Sequence, residues 1–211
     1  MPDELNSPEP HAAAGPPSKA SNTWKSLLLG VLGIAAVVVG LIQVYRGLGQ
    51  AFGWSTPAYA PLLQASDEAS SKATAAARQG DEQLQSLVGV LNAEPLETIR
   101  SDHRDAVAAA QKALAEASAQ FETAGAKLEE ALSHEMPESA VAYLRAAREM
   151  YHLNAEGYKL RAGAAAAVLD ETIVRKEALI AKLNDLIDQA TVALTAAEAA
   201  AKKTVELRDA M

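Results

Sequence analysis

The chain has 211 residues, no cysteine and a formal net charge of −8, with 49% hydrophobic residues but only 4% aromatics. The missing cysteines exclude disulfides, thiolate zinc sites and thiol catalysis, and the acidic balance argues against nucleic acid, whose binding rests on neutralising phosphates with Lys and Arg. Forty-seven alanines carry the apolar count; alanine forms helices well and fills a core poorly, so the composition predicts an all-α chain with closely approaching helices rather than a β-rich or α/β enzyme.

Residues 1–23 hold Pro2, Pro8, Pro10, Pro16 and Pro17 among Ala, Ser and Asn. Such a stretch buries too little apolar surface to offset its ordering entropy and reads as a disordered tail. Residues 24–46 read as a single transmembrane helix. The run from Leu27 to Tyr45 carries no charge and comes close to the ~20 residues that span a bilayer. Trp24 and Tyr45 stand at its ends, where amphipathic rings favour the interface, and Lys25 and Arg46 close it. The apolar run exceeds the ~7–15 residues of a cleaved signal. Ala58-Tyr59-Ala60 resembles a cleavage box but lies well past the run and precedes Pro61. The expectation is therefore an uncleaved signal anchor in a bacterial inner membrane. Lys19 and Lys25 precede the span and Arg46 follows it, a bias that points to a cytoplasmic N-terminus and a periplasmic C-terminal domain. Gly33, Ala36 and Gly40 fall near one face of the span and offer a small-residue packing surface for self-association.

Residues 47–61, with Gly47, Gly49, Gly53, Pro57 and Pro61, form a breaker-rich connector. From 62 to 211 helical periodicity dominates, and this region is expected to be a long-helix antiparallel bundle of three to four helices. The first segment places Leu62, Ala65, Ala69, Ala73, Ala76, Gly80, Leu84, Leu87 and Leu91 on one stripe, with Gly80-Asp81 as its weakest point. Asn92-Ala93-Glu94-Pro95 marks a turn, and a second helical segment runs from Leu96 to Leu132. His134 to Glu138, with Pro137, marks the next turn. The third segment follows the stripe Val141, Leu144, Met150, Gly157 and Val168, and the fourth runs from Ile173 to Val205. Asp170-Glu171-Thr172 is able to cap a new helix between them. No Gly or Pro lies there, so one continuous helix from about Glu138 to Arg208 is the competing reading.

Catalytic patterns are missing from the sequence: no phosphate-binding Gly loop, no nucleophile elbow and no HExxH motif occurs. Glu149 and His152 form a lone Glu-x-x-His, and the second such motif that a di-iron bundle needs is absent. No catalytic residue, cofactor or metal is expected. The third segment still stands apart. Tyr143, Arg145, Arg148, Tyr151, His152, Tyr158 and Arg161 gather scarce aromatics and local basic charge. Together they suit a strip for a protein partner or an anionic ligand. The competing reading has the tyrosines plugging gaps in an alanine-rich core while the basic residues pair with acidic neighbours.

In general layout the chain resembles single-anchor periplasmic helical proteins of bacterial envelopes, and its bundle is similar in kind to chemoreceptor sensor domains. That likeness concerns architecture alone and carries no residue over. The alanine-rich stripes, whose small residues let helices pack at short distance, favour a non-enzymatic, membrane-anchored scaffold or protein-interaction protein. A periplasmic ligand-sensing bundle working with a membrane partner is the alternative, with a small-molecule ligand as a secondary expectation.

Overall fold

A computed structural model describes residues 57–211. The tail, the expected span and its face of Gly33, Ala36 and Gly40 lie outside these residues. Within them α1 runs Ala60–Ala93, α2 Leu96–Asp102, α3 Arg104–Ala131, α4 Glu138–Leu169 and α5 Lys176–Asp209. The protein is all-α here. Its long helices pack antiparallel, α1 on α3, α3 on α4 and α4 on α5. Among the described residues no helix is long and apolar enough to cross a membrane.

Proline sets three of the boundaries. Pro61 sits in the first turn of α1, where the N–H it lacks has no intrahelical partner anyway. It therefore opens the helix rather than ending the connector. Pro95 and Pro137 stand just ahead of α2 and α4 in extended backbone. The expected second segment is divided. The chain bends at His103, φ −115° and ψ 10°, so that α2 and α3 are separate helices. His103 Nε2 lies 3.2 Å from a Glu94 carboxylate oxygen at this corner.

The reversal between α4 and α5 removes the continuous-helix reading. Asp170 does not cap α5, which begins at Lys176. Its carboxylate instead accepts the Thr172 N–H at 3.0 Å and the Thr172 hydroxyl at 2.6 Å, an Asx turn that starts the loop. The same loop is held from α2. Arg100 donates through Nε to Val168 O at 2.9 Å and through Nη2 to Asp170 O and to Ile173 O. Val168 O is one of the carbonyls that the end of a helix leaves without an intrahelical partner; the other two lie in the loop. Lys176 donates to Glu94 O at 2.6 Å, so the α1–α2 corner and the start of α5 are also joined.

Alanine and glycine let the long helices approach. Ala73, Ala77, Ala110, Ala117, Ala124, Ala147 and Ala165 are 0–1% exposed and line the seams. Gly80, the expected weak point, leaves α1 unbroken. A Cβ there would stand 2.6 Å from Leu114 Cγ, so glycine is needed for the contact of α1 with α3. Gly157 plays the same part on α4, where a Cβ would lie 2.7 Å from Leu194 Cγ. Two apolar clusters fill the two halves. One holds Leu63, Phe121, Leu128, Tyr143 and Tyr151; the other holds Leu87, Ile99, Val107, Val168 and Leu179.

Glycine in a helix interior ordinarily costs about 1 kcal/mol relative to alanine, so Gly→Ala stabilises where there is room. Gly163 has room, with nothing within 4 Å of its Cβ position. Gly163→Ala should raise the thermal midpoint. Gly80→Ala should lower it, because overpacking against the fully buried Leu114 costs about 1–3 kcal/mol. Thermal unfolding of both variants checks the pair of signs.

Candidate functional site

α4 is an inner helix, and its buried positions extend well beyond a single stripe. It packs on α3 along one flank and on α5 along another. Its larger side chains cross the interior to α1. Tyr143, Tyr151 and Tyr158 recur at steps of eight and seven, about two helical turns each, so they fall on one face. All three are buried, at 1%, 0% and 3% exposure. Phe121 of α3 stacks between two of them, with ring centroids 6.1 Å from Tyr151 and 5.7 Å from Tyr158. The small residues on the facing helices leave the space that these rings take up.

One turn beyond the rings lies a buried ion pair. Arg161 of α4 donates through Nη1 to Asp81 Oδ1 of α1. Its guanidinium carbon stands 5.7 Å from the Tyr158 ring centroid. Toward the start of α1 the interior is also polar. Ser66 Oγ donates to Ala124 O at 3.0 Å, Ser70 Oγ to Asp67 O at 3.1 Å, and Ser118 Oγ to Ala155 O at 2.8 Å. Asn154 Nδ2 donates to Met150 O at 2.9 Å.

Burial dominates the ionisation of these groups. It pushes the Tyr151 phenol up to about 12, helped by the Asp67 charge and opposed by the adjacent Ser70 and Ser66 hydroxyls. Tyr143 is raised by burial, and further by Tyr151 and Asp67, against the pull of Arg208. Tyr158 is raised by burial and by Asp81, against Arg161. Asp81 sits above the ordinary carboxylate range because loss of water outweighs the neighbouring guanidinium. The phenols are thus neutral hydrogen-bonding groups at physiological pH. Their part here is to fill the interior and to pack against Phe121.

The expected strip therefore divides. Tyr143, Tyr151, Tyr158 and Arg161 come together inside the bundle, while Arg145, Arg148 and His152 face solvent. Arg148 Nη1 reaches Glu129 Oε2 of α3 at 2.6 Å, a pairing of exposed groups. Glu149 of the lone Glu-x-x-His is exposed as well. Among the described residues no group of three or more His, Cys, Asp or Glu side chains could hold a metal ion. No protein-family model, curated protein or solved structure shows a significant match to the chain.

The sequence reading singles out neither Asp67 nor Asp81 as an interior group. A signal was present. Leu63, Asp67, Ser70, Thr74, Ala77 and Asp81 recur at steps of four and three, a second stripe beside the apolar one. These residues are buried or half-buried in alternation.

Two outcomes follow from the polar interior. Asp81→Ala leaves the Arg161 charge buried and unmatched, and should cost about 3–5 kcal/mol in denaturant unfolding. Replacing both partners by apolar residues of similar volume should restore most of that loss. The second outcome concerns alkaline pH. Above about 10 the unfolded chain ionises its tyrosines, while the folded chain keeps these three protonated. Stability is then lost as pH rises from about 10, and the midpoint of urea unfolding measured against pH, with phenolate absorbance alongside, reads that loss.

Proposed function

We propose that the chain is a non-enzymatic scaffold of the bacterial cell envelope, anchored in the inner membrane by the 24–46 span. Its helical bundle stands on the periplasmic side and binds a protein partner. The observation that carries this reading is the topology. The start of α1, the α3–α4 turn and residue 211 share one end of the bundle. The α1–α2 corner, the bend at His103 and the 170–175 loop share the other. α1 has 34 residues, which sets the two ends roughly 50 Å apart at ~1.5 Å per residue. An anchor just ahead of α1 would hold the first end near the bilayer and stand the second off it.

That far end supports a role in contact. Glu97, Asp102, Arg104, Asp105, Glu171 and Arg175 expose charge of both signs around it, and Val174 is 76% exposed beside them. A photo-crosslinking residue at Val174, used in intact membranes of the native host, should capture a discrete protein. The same residue at Ala126 on the flank of α3, also exposed, serves as the control. Capture of bulk membrane proteins alone at both positions counts against the scaffold. A compartment-specific reporter fused after Met211 tests the orientation separately, and activity in the cytoplasm overturns it.

A further inference from the structure

α5 is held unevenly along its length. Its first turns are tied and filled. Lys176 Nζ donates to Glu94 O at 2.6 Å, and Lys182 Nζ lies 3.6 Å from Asp170 Oδ2. Leu179 and Leu183 are buried there, and Leu186 and Ile187 pack against the cluster that holds Leu87 and Ile99. From Ala190 onward the buried residues are Ala190, Ala193, Ala197, Ala201 and Thr204. Leu194 and Leu207 reach the other cluster from this stretch, and each is only half-buried. Beyond Lys182 no α5 side chain bonds to another element among the described residues. Thr191 and Thr204 donate to carbonyls of their own helix, and Arg208 pairs with Asp209. Every other pair of packed long helices carries a cross-helix bond. Ser66 to Ala124 O joins α1 to α3, Ser118 to Ala155 O and Arg148 to Glu129 join α3 to α4, and Arg161 to Asp81 joins α4 to α1.

Between the two parts of α5 lies a place suited to bending. Thr191 Oγ1 donates to Ile187 O at 2.8 Å, a back-bond that loosens the helical ladder and favours a bend. It sits where the packing passes from one apolar cluster to the other. Alanine methyls hold a helix less firmly than leucine side chains, since stabilisation scales with the apolar area removed from water. A stretch with little buried apolar area and no cross-helix bond opens without the rest of the molecule unfolding. We infer that residues 190–209 form a hinged arm, which swings off α4 about the Ile187–Thr191 turn while residues 176–187 stay docked. Opening lifts Leu194 from Gly157, where an added Cβ would stand 2.7 Å from Leu194 Cγ, and bares that glycine notch on α4. The arm is independent of the scaffold reading and holds for any function of the bundle.

Hydrogen exchange of the full chain in detergent, read by mass spectrometry, tests the arm. Amides of 192–205 should exchange at least about 100-fold faster than those of 107–128 in α3 and 181–187 in the docked part of α5. Openings that expose little surface respond weakly to denaturant, so low urea should leave the arm's exchange nearly unchanged. Leu194→Ala removes the large side chain that the arm sets against Gly157. It should speed exchange in 192–205 by a further factor of about 10 and leave 107–128 and 181–187 as they were. Equal protection of the arm and of α3 in the unaltered chain overturns the arm. So does a Leu194→Ala variant that speeds exchange in all three segments alike.

Discussion

Close approach of helices at small residues is the constraint from which the rest of this structure follows. Alanine seams and the two packing glycines bring α1 to α3, α3 to α4 and α4 to α5. Seams of that kind have no room for large side chains. Among the described residues, Phe121, Tyr143, Tyr151 and Tyr158 lie instead in the interior of the bundle. Phe121, Tyr151 and Tyr158 stack there as a single ladder. Dispersion among rings supplies part of the packing that alanine methyls cannot.

The polar groups of that interior have the same origin. A tyrosine long enough to bridge two helices brings its hydroxyl with it, and Asp81 with Arg161 spans a gap that an aliphatic pair would fill more cheaply. What such a pair offers in return is register. An Asp and an Arg on different helices satisfy each other at one sliding position only, whereas alanine seams look much alike when shifted by one turn. In a chain with 47 alanines, the ion pair distinguishes one arrangement of α1 from its neighbours.

Most of the architecture was legible because alanine periodicity and proline punctuation report helices directly. The turns near Pro95 and Pro137 fall where the sequence places them. Two features were less visible. The bend at His103 involves neither Gly nor Pro, and the helix it ends is tied to distant carbonyls through Arg100. The α4–α5 reversal likewise depends on Arg100, whose partners lie 68 to 73 residues away. At the site, the tyrosine cluster was evident as composition, and one of the two readings of the third segment already sets its tyrosines in the core, where they lie; the inward turn of Arg161 was not visible. A single apolar stripe was drawn along the third segment, where an inner helix is buried over several faces. The acidic residues of α1 were hidden by the general rule that charges face water, which holds until an opposite charge on another helix meets them.

Arg100 also bears on how the chain can be divided. Its guanidinium finishes the end of α4, a helix that begins almost forty residues later in the sequence. The α4–α5 hairpin is therefore not self-contained, although its two helices are consecutive and close-packed. A fragment starting at α3 would keep every residue of that hairpin and still lose the bonds that Arg100 gives to the carbonyls of Val168, Asp170 and Ile173.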